Sequence, residues 1–329
     1  MFDEILDAFA GKRVLVIGDV MLDEYISGEV RRISPEAPIP VVEIRGHEYR
    51  PGGASNVAVN IATLGGVPVL CGVVGDDDMA DKLAHVLQPV DSSGEMALVH
   101  SSDRPTTVKT RIVAHGQQML RLDTESQQPI PELIEERIIN WFRGECERAD
   151  ACVLSDYAKG MLTPTLCRTL ITLARAANLP VIVDPKGLQY DRYTGATVIT
   201  PNKREAALAA NVAADRPYDV DAVATKLLAE LGGANLLVTR SEEGMSLYRE
   251  GHAPLHIPTH ALKVYDVTGA GDTVVGALAL SLAAGAALPV AAHLANVAAG
   301  VVVGQLGAAS LTREELRASV LRSEVVAGV

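Results

Sequence analysis

The sequence has only four cysteines, and no two of them form a C-x-x-C pair. This spacing excludes a zinc knuckle and a thioredoxin-like redox site, and it predicts reduced thiols in a cytoplasmic protein. The amino terminus is acidic where a secretory signal peptide would be basic, so no leader is expected. Charged residues make up only 21% of the chain and hydrophobic residues 48%, which excludes a largely disordered protein.

Basic residues are also scarce: 29 stand against 41 acidic ones, which gives a formal charge of −12. A general nucleic-acid binder needs cations to neutralise phosphates, so this balance argues against one. It leaves room for a small anionic ligand, because binding such a ligand depends on local charge. Residues 273–309 contain no charged side chain at all. Gly285, Pro289 and His293 interrupt this stretch, so it predicts two buried alanine-rich helices and no membrane span.

Short β-branched runs alternate with helical patterns along the 329 residues. This alternation predicts a doubly wound α/β fold with a mostly parallel sheet flanked by helices. The predicted strands are Arg13–Gly18, Val67–Val74, Ala151–Ser155, Val181–Asp184, Val198–Thr200 and Asn235–Thr239. The predicted helices are Ser55–Leu64, Met79–Leu87, Pro131–Glu147, Thr163–Ala177, Lys203–Ala210 and Val220–Leu231. Length alone would allow two domains, but no linker or repeat divides the chain, so we expect one domain over residues 1–329.

Two regions break the alternation. Residues 23–45 read as two short extended stretches around a proline-rich turn, and residues 106–123 read as a hairpin that turns at His115-Gly116. We expect both to form a small β lid over the edge of the sheet. Exposed strand edges of such a lid favour pairing with a second copy, so a homodimer is expected.

The strongest chemical signal is Asp266-Val-Thr-Gly-Ala-Gly-Asp272, which directly precedes the uncharged helical stretch. Backbone N–H groups of Gly269, Ala270 and Gly271 at a helix start would form an anion hole for a phosphoryl group. Asp272 at the same end is suited to accept the proton of an attacking hydroxyl. The alternative is an ordinary strand-to-helix turn with a capping Thr or Asp. A Walker loop is excluded because no Lys-Ser/Thr follows, and Val274 stands where a dinucleotide fingerprint needs glycine.

A second glycine-rich helix start lies in Pro51-Gly-Gly-Ala-Ser-Asn-Val-Ala58. Its amides would face a ligand, and the Asn56 side chain both donates and accepts hydrogen bonds, which suits sugar hydroxyls. The alternative is that Asn56 only caps the helix locally.

Taken together, the two motifs, in this order and about 210 residues apart, resemble the signatures of the ribokinase-like (PfkB) carbohydrate kinases. Within that family, four further segments are similar to the D-glycero-β-D-manno-heptose 7-phosphate kinases of lipopolysaccharide core synthesis. These segments are GDVMLDEY (18–25), RISPEAP (32–38), LSDYAKG (154–160) and DPKG (184–187). Such kinases often occur fused to a nucleotidyltransferase, and the length here would correspond to the kinase alone.

The resemblance implies a role for each matching residue on the sugar side. Asp272 matches the general base, and Gly269, Ala270 and Gly271 match the anion hole. Asp23, expected at the carboxyl end of the first strand, matches the acid that binds sugar hydroxyls. The remaining sugar-side candidates are Asp19, Gly53 and Asn56; for Asp19 the alternative is a turn-capping role.

On the nucleotide side, the resemblance places Asn202 beside the ATP phosphates and has Glu205 hold Mg²⁺ through water. Thr239 and Gly244 match the nucleotide-binding turn, in which Ser241 departs from the usual glycine. Lys186 would neutralise the transferring phosphoryl group or hold the phosphate of the sugar. The alternatives are a solvated first-turn acid for Glu205 and a surface lysine for Lys186.

The expected reaction is therefore Mg²⁺-ATP-dependent phosphorylation of the anomeric hydroxyl of a phosphorylated sugar, heptose 7-phosphate. Lys109, Arg111 and Arg121 on the predicted hairpin either recognise that phosphate or are solvated charges. Other acceptors of the same fold class, namely fructose phosphate, ribose or a nucleoside, remain alternatives, as does a non-catalytic ligand sensor. A nicotinamide oxidoreductase is the most distant alternative, because its fingerprint fails at Val274.

Overall fold

The computed structural model describes residues 2–91, 94–259, 267–304 and 310–327. Within these ranges the strands, in chain order, are β1 (Arg13–Gly18), β2 (Val20–Ile33), β3 (Pro40–Gly53), β4 (Val67–Gly75), β5 (Ala97–Ser101), β6 (Val108–Ala114), β7 (Gln117–Thr124), β8 (Ala151–Ser155), β9 (Val181–Asp184), β10 (Val198–Ile199), β11 (Asn235–Thr239), β12 (Met245–Tyr248) and β13 (Leu255–Ile257). The helices are α1 (Phe2–Asp7), α2 (Ala54–Thr63), α3 (Asp78–Leu87), α4 (Glu132–Glu145), α5 (Pro164–Ala176), α6 (Lys203–Ala209), α7 (Val220–Glu230), α8 (Ala270–Ala283), α9 (Leu288–Val302) and α10 (Arg313–Ala327).

Nine strands form the central sheet in the order β13-β12-β11-β10-β9-β8-β1-β4-β5. The seven strands from β11 to β5 in this order run parallel, and β12 and β13 extend the sheet as an antiparallel edge. Alternate residues of β1 point to opposite faces: Val14 and Val16 enter one apolar cluster, and Leu15 and Ile17 enter the other. Burial of both faces explains the continuous apolar runs in the sequence. The predicted α/β fold is confirmed.

The uncharged stretch forms α8 and α9, as predicted, up to the limit of the described residues at 304. Most side chains of both helices are buried, which matches helices that are apolar on every side. None of the described helices combines the length and the apolar character needed to cross a membrane.

A second sheet of four strands has the order β3-β2-β6-β7. The hairpin at His115-Gly116 is confirmed, since β6 and β7 pair antiparallel on either side of it. The two extended stretches around the proline-rich turn are confirmed as β2 and β3, but the expectation that they are short is wrong, because each strand is 14 residues long. Their length follows from the ladder, since β2 pairs antiparallel with β3 and parallel with β6. β5, β12 and β13 are three strands that the sequence patterns did not predict.

Candidate active site

The candidate active site lies where the parallel strands end. Asp19 follows β1, Asp156 follows β8 and Asp184 closes β9. Ligands of open α/β sheets bind at this edge, outside the carboxyl ends of the strands. A cavity of about 170 Å³ opens there, and five of the predicted site residues line it. Its lining consists of Asp156, Tyr157, Asp184, Pro185, Lys186, Thr200, Asn202, Glu205, Thr239, Gly271 and Val274.

The carboxylate of Asp272 is buried in the first turn of α8 and accepts two hydrogen bonds from neutral donors. Asn56 Nδ2 donates to Oδ2 at 2.6 Å, and the Tyr157 hydroxyl donates to Oδ1 at 2.7 Å. Burial raises the pKa of Asp272 to about 6, while the two hydrogen bonds lower it and the charge of Asp23 raises it further. A carboxylate with a pKa this close to neutrality is a better proton acceptor than an ordinary one.

Gly269 is the N-cap of α8, and the Thr273 amide closes the first turn onto the Gly269 carbonyl at 3.1 Å. The first amides of an α-helix have no partner inside the helix and carry its positive dipole end. The three residues predicted to form an anion hole lie at this helix start, where the Ala270 amide donates to the Val267 carbonyl at 3.2 Å. Asp266, the first residue of the motif, lies outside the described residues.

Helix α2 carries Asn56 to Asp272, the predicted base. Gly53 is its N-cap, with φ of 57° and ψ of −133°. One turn later Asn60 accepts a hydrogen bond from the Thr273 hydroxyl at 2.8 Å, which joins α2 to α8 a second time. The contact between Asn56 and Asp272, 216 residues apart, brings the two sequence motifs into a single site.

The loop after β8 brings in a residue to which the sequence analysis gave no role. Tyr157 lies in the LSDYAKG segment and reaches Asp272 with its hydroxyl. Asp19 anchors this loop, because its carboxylate accepts from the backbone amides of Tyr157 at 2.8 Å, Lys159 at 3.0 Å and Met161 at 3.3 Å. Burial and the charge of Asp156 raise the pKa of Asp19. The position of Tyr157 in a quoted motif was the only signal for it in the sequence.

Asp23 does not stand at the end of the first strand, as expected, but within β2 of the second sheet. The chain leaves the central sheet at Gly18 and crosses into the second sheet two residues later, which carries Asp23 over the cleft. Arg111 on β6 donates to Asp23 Oδ1 at 2.6 Å. The charge of Asp23 raises the pKa of Asp272, so the second sheet faces the predicted base.

The three cations of the hairpin each have a carboxylate partner. Arg111 pairs with Asp23, Lys109 with Asp123 at 3.3 Å, and Arg121 with Asp123 at 2.8 Å. Lys109 also contacts Glu125 at 3.2 Å. Arg111 and Lys109 are both well shielded from solvent, and Arg111 also lies over the Tyr25 ring, 5.3 Å from its centroid. Arg111 is therefore the hairpin cation that is fixed closest to the predicted sugar acid.

On the nucleotide side, Asn202 and Glu205 form a reciprocal capping box at the start of α6. The Glu205 amide donates to Asn202 Oδ1 at 2.9 Å, and the Asn202 amide donates to Glu205 Oε2 at 3.0 Å. The other oxygen of Glu205 accepts from Lys186 Nζ at 2.6 Å. Lys186 is therefore paired and half-exposed at the cavity, with its ammonium group directed to the candidate Mg²⁺ residue.

Thr239 closes β11 and forms a bridge with Asn202, which places both residues at the same strand ends. Gly244 has φ of 88°, and a Cβ there would lie 2.1 Å from the Ile257 carbonyl oxygen, so only glycine fits. Ser241, which replaces a usual glycine of the family, also keeps a left-handed backbone with φ of 54°. The backbone at Ser241 thus has the left-handed form that glycine adopts most easily.

The fold matches solved structures of sugar kinases. A ribokinase from Arabidopsis thaliana, solved with ribose and ATP, has a TM-score of 0.72 at 19% identity over 94% of this chain and 98% of that one. Phosphofructokinase-2 from Escherichia coli, solved with potassium, has a TM-score of 0.75 at 19% identity over 95% and 99%. This likeness defines the fold as ribokinase-like.

A family model of carbohydrate kinases matches residues 12–315, and this match defines the class of the protein: it is a sugar kinase. More particularly, the chain belongs to the pfkB family of carbohydrate kinases.

Curated relatives include proteins called "Bifunctional protein HldE". The one from Klebsiella pneumoniae subsp. pneumoniae is 46% identical over 98% of this chain, and the one from Chromohalobacter salexigens is 49% identical over 92%. The chain spans 67% and 62% of the length of these two relatives.

Proposed function

We propose that the protein transfers the γ-phosphoryl group of ATP to the anomeric hydroxyl of D-glycero-β-D-manno-heptose 7-phosphate. The observation that carries this proposal is the buried Asp272 at the start of α8, held by Asn56 and Tyr157. Asp272 takes the proton of the sugar hydroxyl, and that oxygen forms the new bond to phosphorus. The bond from phosphorus to the ADP oxygen breaks, and ADP and the 1,7-bisphosphate result.

Charge develops on the transferring phosphoryl group, and the donors for it lie on the same side as the base. We assign the stabilisation of this charge to the amides of Gly269 and Gly271 at the positive end of α8. The Ala270 amide would join them only on leaving the Val267 carbonyl, to which it donates at 3.2 Å. Lys186 adds a cation at the rim of the same cavity, with its ammonium group 2.6 Å from Glu205. We assign Lys186 to the phosphoryl group rather than to the far end of the sugar, because it lies on the nucleotide side.

Asn202, Glu205, Thr239 and Gly244 are proposed to hold the nucleotide, since they share the strand ends beyond the cavity. The described residues contain no cluster of three or more metal-binding side chains. One carboxylate, Glu205, still fits Mg²⁺, because this ion keeps several waters and is bound largely by substrate phosphates. When bound, Mg²⁺ would neutralise phosphate charge.

The sugar is proposed to lie between Asn56 on α2 and the polar face of β2. Gly53 opens the helix on this side, and Asp23 would accept hydrogen bonds from the sugar hydroxyls. Arg111 and Arg50 both lie over the ring of Tyr25, two residues from Asp23 on β2, with guanidinium carbons 5.3 Å and 5.1 Å from the ring centroid. Two guanidinium groups on this face support an acceptor that carries its own phosphate.

The choice of a heptose phosphate is supported by the four segments that resemble heptose kinases and by the HldE relatives. A place in ADP-heptose and lipopolysaccharide core synthesis follows from that substrate. We assign the kinase reaction to one domain over residues 1–329, with the second sheet as its lid. The buried free cysteines suit the cytoplasm, where ATP is available.

The test is a steady-state assay of ADP release with heptose 7-phosphate, fructose 6-phosphate, ribose, a nucleoside and unphosphorylated heptose. We expect the highest kcat/KM with heptose 7-phosphate and a loss of at least about 100-fold without the phosphate, since a lost charged contact has that effect. A higher kcat/KM with another sugar would replace the substrate assignment. An absence of ADP release with every sugar would favour a ligand sensor.

Replacing Asp23 with Asn should raise the KM for the sugar about 10- to 100-fold and leave the KM for ATP unchanged. The substitution removes the charged acceptor of Arg111 and weakens hydrogen bonds to sugar hydroxyls. Asp123→Asn is the matched control, because it also removes a carboxylate that pairs with cations of the second sheet. Equal effects of both variants on the KM for the sugar would contradict a specific role of Asp23.

We also propose a homodimer formed through the second sheet. Its edge strands are β3 and β7, and Ile44, Leu120 and Leu122 expose more than half of their side chains there. Light scattering should give twice the chain mass of 34.7 kDa. The double variant Leu120→Glu, Leu122→Glu should give a monomer, whereas a wild-type monomer would contradict the proposal.

A further inference from the structure

The loop between β8 and α5 reaches the base from a side that neither signature motif covers. Tyr157 is the second residue of this loop, and its hydroxyl lies 2.7 Å from Asp272 Oδ1. Burial raises the pKa of this hydroxyl well above its ordinary value, so the phenol stays protonated and donates. Asn56 donates to the opposite oxygen at 2.6 Å. The plane of the carboxylate is therefore fixed by one donor on each oxygen.

Buried hydrogen bonds to Asp19 and Tyr193 hold this loop in place. Three of its backbone amides converge on the Asp19 carboxylate, and Asp156 accepts from the Tyr193 hydroxyl at 2.6 Å. Asp156 also forms an ion pair with Arg192 at 2.9 Å. Such a set of buried hydrogen bonds leaves the Tyr157 backbone little freedom to move, so its hydroxyl has one position relative to α8.

The same loop contacts the second sheet. Lys159 Nζ donates to Glu125 Oε1 at 2.7 Å, and Glu125 also accepts from Lys109 Nζ on β6 at 3.2 Å. The loop thus hydrogen-bonds directly to Asp272 and to Asp19 after β1, and it reaches Lys109 of the second sheet through Glu125.

We propose that Tyr157 is a positioning residue that orients Asp272 and keeps its carboxylate ionised without neutralising it. This inference rests on the proposed role of Asp272 as the base. A cation in the place of Tyr157 would lower the pKa of Asp272 strongly and weaken it as a proton acceptor. A neutral hydroxyl orients the carboxylate at a smaller cost to its basicity.

The other groups around Asp272 explain why a donor is needed. Asp23 faces it from β2, and the charge of Asp23 raises the pKa of Asp272. Asp184 at the end of β9 is a further carboxyl, whose own pKa is raised well above its ordinary value by burial and by the charge of Asp272. Asn56 on α2 is neutral. Burial and the charge of Asp23 favour the protonated form, in which Asp272 cannot act as a base. The Tyr157 and Asn56 hydrogen bonds oppose them.

The test is the pH dependence of kcat/KM in Tyr157→Phe. The acidic limb of the kcat/KM profile should move to higher pH by about one unit, because the ionised Asp272 carboxylate loses the hydrogen bond from Tyr157. At the optimum, kcat should fall about 10- to 100-fold, since the carboxylate is no longer fixed. The KM for ATP should not change. Tyr248→Phe is the matched control, because the Tyr248 hydroxyl donates to Asp221 at 2.5 Å on the edge of the sheet. The acidic limb of its pH profile should coincide with that of the wild type.

A second readout does not depend on turnover. With ¹³C-labelled aspartate, the Asp272 carboxyl signal is identified as the one missing in Asp272→Asn, and its pKa should rise by about one unit in Tyr157→Phe. An unshifted carboxyl pKa in folded Tyr157→Phe would overturn the inference. If Asp272→Asn stays active, the base assignment fails by itself, and the carboxyl titration still decides whether Tyr157 controls Asp272. If Tyr157→Phe does not fold, the Asp272 carboxyl is titrated in Asp19→Asn, which weakens the anchor of the loop that carries Tyr157. An unshifted pKa of Asp272 in that variant would also overturn the inference.

Discussion

Asp272→Asn should lower kcat by about 10³-fold while ATP and the sugar still bind. A positioned general base contributes about 10²- to 10⁴-fold to a rate, and an amide of the same shape cannot accept the proton. The variant keeps an acceptor for Asn56 and a donor for the Tyr157 oxygen, so the site should stay assembled. Steady-state kinetics and calorimetric binding of both substrates measure the two effects. Near-normal turnover would remove Asp272 as the base.

The same variant should unfold at a higher temperature than the wild type. The pKa of Asp272 is about 6 in the folded state against 3.8 in a free side chain, so the folded protein binds the proton more tightly. The tighter proton binding at Asp272 therefore stabilises the folded protein below pH 3.8, and this stabilisation is lost as the pH rises through about 6. At pH 7 the ionised group costs about 1–3 kcal/mol, which the neutral amide removes.

Thermal denaturation at pH 7 tests this gain, with Asp150→Asn as the control. Asp150 pairs with Lys12 at 2.8 Å at the opposite end of the strands, so its replacement should keep kcat and should not stabilise the fold. In the wild type, kcat/KM should fall tenfold per pH unit below about pH 6, where Asp272 becomes protonated. A Tm of Asp272→Asn below that of the wild type would contradict the cost assigned to the buried charge.

Gly53→Ala should destabilise the protein by about 3 kcal/mol and lower kcat/KM about 100-fold. A side chain is strained at the backbone angles of Gly53. Its Cβ would also lie 2.5 Å from the Asp19 carbonyl oxygen and 2.6 Å from the Met21 methyl carbon. Relief of these overlaps would shift the start of α2, and with it the contact of Asn56 to Asp272. The free energy of unfolding in urea and kcat/KM are the two measurements.

Gly144→Ala is the matched control for this substitution. Gly144 lies in α4, and a Cβ there meets no atom within 4 Å. Alanine favours a helix over glycine by up to about 1 kcal/mol, so this variant should be slightly more stable and fully active. If Gly53→Ala behaved like Gly144→Ala, the steric role of Gly53 would be wrong.

The strands of the central sheet could be predicted well where they are covered on both faces. β1, β8, β9 and β11 have the predicted bounds, because a strand buried on both sides is apolar at every position. The second sheet was harder to predict. The pattern of polar and apolar residues in β2 does not predict a strand of 14 residues, because the length of β2 depends on pairing with β3 and β6.

The catalytic motifs also follow from local sequence. Small residues before a helix predict a phosphoryl-binding turn at Gly269–Gly271, and an adjacent carboxylate predicts the base. Ser241 shows the limit of such patterns, because the left-handed turn persists there without the expected glycine.

The sequence by itself therefore determined the fold class, the family resemblance and the residues of both signature motifs, since each depends on side chains close together in the chain. Only the tertiary structure decided what surrounds Asp272. Its neighbours Asn56 and Tyr157 are 216 and 115 residues away, and Asp23 approaches on a different sheet from the one expected. The basicity of Asp272 depends on burial and on these distant partners, so no local pattern contains it.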